Sequence, residues 1–139
     1  MADIFVSYAR EDTERVGQIV KELEKRGLSV FWDRRVPPGR HWRDYIAKAL
    51  DESRCVLVVW SQHSINSAWV REEAEVARKR GILVPQLLDE VQVPLGFRGV
   101  QAVDLSDWEN NTSDPVFQQL IGAIEAQISL SSKQVAQKA

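Results

Sequence analysis

Residues 56–60, with the sequence VLVVW, are the stretch that decides the fold. Five consecutive apolar side chains predict a strand that helices cover on both faces. A strand of an open antiparallel sheet, with one face in water, would instead alternate apolar and polar residues. The stretch therefore predicts a central strand of a parallel sheet in an α/β fold.

Shorter β-rich segments alternate with helical patterns on both sides of this run. Asp12 suits the N-cap of the first helix, Gly27 and Gly81 suit the left-handed ends of two helices, and Pro115 suits the first turn of the last helix. Pro85 is expected to limit how far the fourth strand pairs inside the sheet. The alternation predicts a flavodoxin-like three-layer sandwich with a central five-stranded parallel sheet. The other strands are expected at 4–8, 28–32, 82–84 and 100–105.

The composition is typical of one folded domain. Of 139 residues, 44% are hydrophobic and 27% are charged. A chain of this length fits one domain, which we place at residues 1–129, followed by a polar, disordered tail at 130–139. The apolar segment near the N-terminus is too short for a signal peptide or a membrane span, so no membrane partner is expected and the expected location is the cytoplasm.

Charge and cysteine content disfavour several classes of protein. Eighteen basic and twenty acidic residues give a formal charge of −2, so no nucleic-acid partner is expected. The single cysteine, Cys55, excludes an internal disulfide. His41 and His63 have no neighbours at metal-ligand spacing, and we therefore predict no metal site.

In this fold, ligands bind beyond the carboxyl ends of the strands. Arg10 follows the first strand and suits either a pyrophosphate or a surface ion pair. Asp33 follows the second strand and suits either a ribose hydroxyl or a turn. A phospho-acceptor response regulator would need clustered aspartates near Arg10 and an acceptor aspartate near Ser61, so the sequence argues against that class.

Four motifs follow one another along the chain in a specific order and spacing. They are IFVSY at 4–8, VFWD at 30–33 with PG at 38–39 and tryptophan at 42, SRCVLVVWS at 53–61, and SAWVREE at 67–73. Together they resemble the bacterial type of Toll/interleukin-1-receptor (TIR) domain, over about the whole chain before the tail. None of the motifs is specific by itself, but their combination is.

The resemblance implies a choice between two activities. Some TIR domains cleave NAD between nicotinamide and ribose with a glutamate of the third helix, and release ADP-ribose or a cyclised form. Other members are non-catalytic modules of protein–protein interaction and signalling, such as adaptors or mimics of host signalling proteins. The spacing of Trp69 and Glu73 resembles that of the cleaving members. It favours an NAD nucleosidase that uses NAD as substrate and needs no cofactor.

Helical geometry and leaving-group chemistry are consistent with Glu73 as the catalytic residue. A rotation of roughly 100° per residue places Glu73 beside the apolar stripe of the third helix, whereas Glu72 and Glu75 point towards solvent. Nicotinamide leaves a cationic nucleotide as a neutral molecule, so no acid is needed. One carboxylate therefore suffices to stabilise the positive charge that develops on the ribose. The alternative is a solvated residue near the positive end of a helix.

We predict a substrate-binding group along the same edge of the sheet. The resemblance places Ser61 at the border of the cleft, and Trp69 suits either stacking on the substrate or the core. Trp42 and Trp32 are more often core residues than ligand contacts. The predicted group comprises Tyr8, Arg10, Asp33, Trp42, Ser61 and Trp69.

The loop after the second strand is predicted to mediate self-association with other TIR domains. Its two prolines stand where some cleaving members have a polar or acidic residue, a departure that leaves contacts between the loop and NAD open. The resemblance also implies a sensor or scaffold domain in a longer parent chain. The interaction loop comprises Arg34, Arg35, Val36, Pro37, Pro38, Gly39 and Arg40.

Overall fold

The fold is a single parallel sheet covered by helices on both faces. The computed structural model describes residues 2–138, with side chains through residue 131. The sheet has five strands in the order β2-β1-β3-β4-β5, which is the flavodoxin-like order. This confirms the predicted fold class. The strands are β1 (Ile4–Ser7), β2 (Val30–Phe31), β3 (Cys55–Trp60), β4 (Leu83–Leu87) and β5 (Val103–Asp104).

Four helices form the two outer layers. One apolar cluster joins the sheet to α1 and α4, and a second cluster joins the opposite face to α2 and α3. All six residues of β3 are buried, because β3 lies between β1 and β4 and is covered on both faces. The helices are α1 (Thr13–Lys25), α2 (Trp42–Glu52), α3 (Ala68–Arg80) and α4 (Pro115–Lys138).

The prediction that Pro85 limits central pairing was wrong. β4 continues through Pro85 to Leu87 and pairs with β3 over this whole length. Successive residues of a strand direct their backbone N–H and C=O groups to alternate sides, so Pro85 and Leu87 face the same side. The Leu87 carbonyl accepts a hydrogen bond from the N–H of Leu105, which directly follows β5. The Pro85 nitrogen therefore faces the β5 side, where pairing begins only at Gln86. The missing N–H breaks no ladder bond there.

α3 begins and ends at residues with specific capping geometry. The Ser67 hydroxyl accepts a hydrogen bond from the Val70 N–H at 3.2 Å, which satisfies one of the free donors at the helix start. Gly81 follows the helix with φ = 71°, a left-handed conformation that favours glycine. The two caps fix the start and the end of the helix that carries Glu73.

α4 extends further than the sequence predicts. It reaches Lys138, whereas the polar tail was expected from residue 130. The Ser131 hydroxyl donates to the Arg54 carbonyl at 2.7 Å, and the following residues include no glycine or proline that would break the helix. The position of the domain boundary stays a prediction, and Ala139 and Met1 lie outside the described residues. Within residues 2–138, no helix has the combination of length and apolar character that crossing a membrane requires.

Candidate active site

Glu73 lies in the second turn of α3 with its carboxylate buried against the sheet. The residue is 3% exposed. The Ser7 hydroxyl, at the carboxyl end of β1, donates a hydrogen bond to Glu73 Oε1 at 2.7 Å. The helix start fixed by Ser67 and the end of β1 therefore bring these two residues together, 66 positions apart in sequence.

The charge of Glu73 is balanced by Arg34, from the loop after β2. Arg34 Nη1 donates to Oε2 at 2.7 Å and Nη2 donates to Oε1 at 3.0 Å, so the pair is bidentate. Nη2 also donates to the Val6 carbonyl at 2.9 Å. Both oxygens of the buried carboxylate are therefore hydrogen-bonded, as a buried charge requires.

Aromatic rings support the guanidinium of Arg34. Its central carbon lies 4.9 Å from the centre of the Phe5 ring and 5.7 Å from the centre of the Tyr8 ring. The Arg34 Nε is buried and has no hydrogen-bond partner within the described residues. The guanidinium is thus held by Glu73 and the rings, while one of its donors is unused.

A cleft of about 920 Å³ opens beside this ion pair at the carboxyl edge of the sheet. Its size is within the range of small-molecule sites. Arg34 lines the cleft, whereas Glu73 lies behind Arg34 and is not part of the lining. Three arginines and three aromatic residues dominate the wall: Arg10, Arg34, Arg35, Tyr8, Trp42 and Trp69.

Two tryptophans form an aromatic wall of the cleft. The ring centres of Trp42 and Trp69 are 5.2 Å apart, and the ring planes are inclined by 47°. Trp42 is 48% exposed, which is unusual for so large an apolar side chain, and the Arg43 guanidinium lies 5.3 Å from the centre of its ring. The frequent assignment of such tryptophans to the core therefore does not fit Trp42.

Tyr8 also lines the cleft. Its hydroxyl donates to the Trp32 carbonyl at 2.8 Å. Burial raises the pKa of the Tyr8 hydroxyl, while the nearby positive charge of Arg34 lowers it, and the net shift is upward. Tyr8 is therefore a neutral donor at physiological pH.

Two residues of the predicted substrate-binding group do not line the cleft. Ser61 is fully buried and donates its hydroxyl to the Asp12 carboxylate. Asp33 is exposed and accepts hydrogen bonds from both the side chain and the backbone N–H of Arg35. These bonds lower the pKa of Asp33 to about 2. The cleft brings together the other four residues of that group: Tyr8, Arg10, Trp42 and Trp69.

The predicted interaction loop divides into an inner and an outer part. Arg34, Arg35 and Val36 line the cleft. The segment 37–40 is exposed, and Gly39 adopts φ = 85° at its turn. The first part of the loop is thus available for a ligand in the cleft and the second part for a partner outside it.

Sequence reasoning missed the two contacts that hold Glu73. Ser7 is a polar residue in an otherwise apolar strand, and that exception is a usable signal for a buried hydrogen bond. Arg34 lies in a loop without periodicity, so its direction has no signal in the sequence. In the part of the chain that the structure describes, no group of three histidine, cysteine, aspartate or glutamate residues could hold a metal ion.

Comparisons with known proteins identify the family. A TIR domain model matches residues 4–121. The Stimulator of interferon genes protein of Magallana gigas is 32% identical over 121 residues, which cover 79% of this chain and 29% of that protein. The Probable 2' cyclic ADP-D-ribose synthase TcpO of Methanobrevibacter olleyae is 36% identical over 73 residues, which cover 51% of this chain and 21% of that protein.

A solved structure shows the same fold. The TIR domain of the Toll-related receptor TRR-2 from Hydra magnipapillata superimposes with a TM-score of 0.75 at 22% identity, over 90% of this chain and 99% of that one. The matched segments span less than a third of the two relatives above, at 29% and 21% of their lengths. Because the family model covers most of the chain, this protein belongs to the TIR domain family.

Proposed function

We propose that this chain is a bacterial-type TIR domain that cleaves NAD between nicotinamide and ribose. The observation that carries the proposal is a buried carboxylate, Glu73, directly behind the cationic and aromatic wall of a cleft. The relative from Methanobrevibacter olleyae is named a cyclic ADP-ribose synthase, which supports the same chemistry at the level of the family. The products are nicotinamide and ADP-ribose or a cyclic isomer of it.

The wall of the cleft is suited to a dinucleotide. The guanidinium groups of Arg10 and Arg35 offer charge-assisted hydrogen bonds to a diphosphate, and the rings of Trp42 and Trp69 offer stacking surfaces for a flat base. Glu73 and Ser7 stand at the inner side, beyond Arg34. This order supports a binding mode in which the ribose lies at the Arg34 end of the cleft and reaches Glu73 once Arg34 has moved.

Bond cleavage needs little from the protein beyond charge stabilisation. The bond between the ribose carbon and the nicotinamide nitrogen breaks, and its electron pair goes to the nitrogen, so nicotinamide leaves neutral. Glu73 stabilises the positive charge that develops on the ribose. Water then adds to the ribose carbon and releases its proton to solvent, which gives ADP-ribose. Attack by an atom of the nucleotide itself gives the cyclic isomer.

We also propose that self-association activates the domain. The exposed part of the interaction loop, residues 37–40, lies beside the cleft, so a neighbouring TIR domain can contact both. A sensor or scaffold domain in a longer parent protein would bring several TIR domains together in the cytoplasm. The local concentration of the domain, rather than its fold, would then control the reaction.

A second candidate is a non-catalytic interaction module. One observation favours it: both oxygens of Glu73 are occupied by Arg34 and Ser7, so the carboxylate is not accessible in this arrangement. A module of this kind would use the exposed loop for signalling contacts and keep Glu73 as a buried structural charge. The two candidates differ in a directly measurable reaction.

Incubation of concentrated protein with NAD, followed by chromatography, tests the proposal. We expect release of nicotinamide together with ADP-ribose or a cyclic isomer, and a specific activity that rises steeply with protein concentration. An absence of nicotinamide at all concentrations, including with the domain fused to an oligomerising partner, would favour the interaction module. A specific activity independent of concentration would contradict only the activation by self-association.

A further inference from the structure

The position of Arg34 conflicts with a simple view of Glu73 as an open catalytic carboxylate. The guanidinium of Arg34 lines the cleft, and Glu73 lies behind it. Its two terminal nitrogens occupy both oxygens of Glu73, at 2.7 and 3.0 Å. A ribose in the cleft therefore reaches Glu73 only after Arg34 has moved.

Displacement of Arg34 without a substitute partner is unfavourable. Glu73 is 3% exposed, so removal of the guanidinium leaves an unpaired charge in a buried position. The guanidinium itself also loses its only carboxylate partner among the described ion pairs. A neutral ligand offers no compensation for either group.

A ligand with two separated charges of opposite sign removes both difficulties. An anionic diphosphate accepts the same bidentate hydrogen bonds from Arg34 that Glu73 accepts now. A cationic nicotinamide ribose then becomes the new partner of Glu73. Arg34 belongs to the loop between β2 and α2, outside any helix or strand, and its side chain is 24% exposed and lines the cleft, so a diphosphate in the cleft can contact it. The exchange also costs the guanidinium its bond to the Val6 carbonyl, which the diphosphate oxygens replace.

We propose that Arg34 is a specificity-determining residue that transfers from Glu73 to the diphosphate of the substrate. The site thereby selects nicotinamide nucleotides that carry a diphosphate and rejects nicotinamide riboside, which carries the cation but no anion. Nicotinamide riboside leaves Arg34 on Glu73 and so leaves the carboxylate covered. This inference rests on the proposed NAD cleavage and specifies its substrate class.

The first test compares the cleavage of two substrates. The wild-type protein and the Arg34→Gln variant are assayed with NAD and with nicotinamide riboside, and kcat/KM is measured for each. We expect the preference for NAD to fall at least about tenfold in Arg34→Gln, with a higher kcat/KM for nicotinamide riboside than in the wild type. An unchanged preference would overturn the proposal.

Arg35→Gln is the matched control for loss of charge. Arg35 belongs to the same loop and lines the same cleft, but it pairs with exposed Asp33 and not with Glu73. We expect Arg35→Gln to lower the kcat/KM for NAD without raising the kcat/KM for nicotinamide riboside. A rise equal to that of Arg34→Gln would show a general effect of charge and would also overturn the proposal.

The second test needs no catalytic activity and uses ADP-ribose as the probe. Calorimetry measures its affinity for the wild type, for Glu73→Gln and for the double variant Glu73→Gln with Arg34→Gln. Because Arg34 no longer has to leave a charged partner, we expect Glu73→Gln to bind ADP-ribose about tenfold more tightly. The gain should disappear in the double variant, and adenosine, which lacks the diphosphate, should show no gain.

The two tests separate failure of this inference from failure of the proposed function. If the wild type cleaves neither substrate, the proposed function fails, and the binding measurements still decide the role of Arg34. If NAD is cleaved but Glu73→Gln binds ADP-ribose no more tightly than the wild type, the transfer of Arg34 is excluded while cleavage stands. The double variant contains no unpaired buried carboxylate, so its binding can be measured even if Arg34→Gln alone does not fold.

Discussion

The domain buries two carboxylates at the carboxyl edge of one sheet, and their surroundings differ. Glu73 is 3% exposed and lies on the face covered by α3, whereas Asp12 is 1% exposed and lies at the start of α1. Each accepts a hydrogen bond from a serine at the carboxyl end of a strand: Ser7, the last residue of β1, donates to Glu73, and Ser61, directly after β3, donates to Asp12. The two sites therefore share their burial and their hydroxyl partner.

The cations differ between the two sites. Glu73 has a bidentate arginine from an irregular loop that lines the cleft. Among the ion pairs of the described residues, Asp12 has only Arg15 of the adjoining helix α1, at 3.8 Å and with a side chain that is 47% exposed. The partner of Asp12 thus belongs to a regular helix, whereas the partner of Glu73 comes from a loop outside any helix or strand. The comparison is consistent with a structural role for Asp12 and with the catalytic role that the proposed function gives to Glu73.

Removal of Arg34, the bidentate partner of Glu73, should have the largest effect on stability. We expect Arg34→Ala to lower the free energy of unfolding by about 3–5 kcal/mol, because it leaves Glu73 buried and unpaired. In a Glu73→Gln background, the same substitution should cost much less. Denaturant unfolding of the two single variants and the double variant measures this coupling. Additive losses would show that the two side chains do not stabilise each other.

Removal of the structural carboxylate should have a smaller effect. Asp12→Ala leaves the buried hydroxyl of Ser61 with only a long donor contact to the Ser64 hydroxyl, at 3.4 Å, and we expect a loss of about 1–3 kcal/mol in unfolding free energy. Glu14→Ala is the control, since Glu14 is an exposed acid in the first turn of the same helix, and its loss should stay within about 0.5 kcal/mol. Equal losses in both variants would contradict a buried network at Asp12.

The smallest expected effect is the pH dependence of stability that comes from the ion pair between Arg15 and Asp89. Burial raises the pKa of Asp89, but hydrogen bonds from Arg15 and from the Gln62 N–H lower it more, so the net pKa lies below its ordinary 3.8. A carboxyl with a lowered pKa in the folded state stabilises the fold above its ordinary pKa, and this stabilisation is lost as the pH falls through the folded value.

We therefore expect Asp89→Asn to destabilise the protein by less than about 1 kcal/mol at neutral pH, since Arg15 is half exposed. The difference between the variant and the wild type should vanish at acidic pH, below the pKa of folded Asp89. Unfolding curves at several pH values measure it. A difference that persists in acid would show that the amide disturbs the site for another reason.

The fold could be predicted from the sequence because its signals are local and repeated. The apolar run at 56–60 became the fully buried central strand β3, and the spacing of the third helix placed Glu73 on its buried side. The prediction for Pro85 failed because the cost of a proline depends on the side its nitrogen faces. That side depends on the register of the neighbouring strand, which a single sequence does not contain.

The site could be predicted only in part. The sequence indicates which residues follow the strands, but not which of them turn inwards, and so Ser61 and Asp33 were grouped with residues that do line the cleft. Asp12 stands at the N-cap of α1 as expected, but its carboxylate bonds Ser61 instead of the helix backbone. Such choices depend on contacts between distant segments, as does the pairing of Arg34 with Glu73.

Nicotinamide release by matched carboxylate variants tests the central claim most directly. Each of three variants neutralises one acid. Glu73→Gln does so behind the cleft wall, Asp12→Asn in the buried network with Ser61, and Glu72→Gln on the exposed face of α3. We expect folded Glu73→Gln to lose cleavage by at least about a hundredfold, while the other two variants stay within about threefold of the wild type. Undiminished release by folded Glu73→Gln would contradict the account.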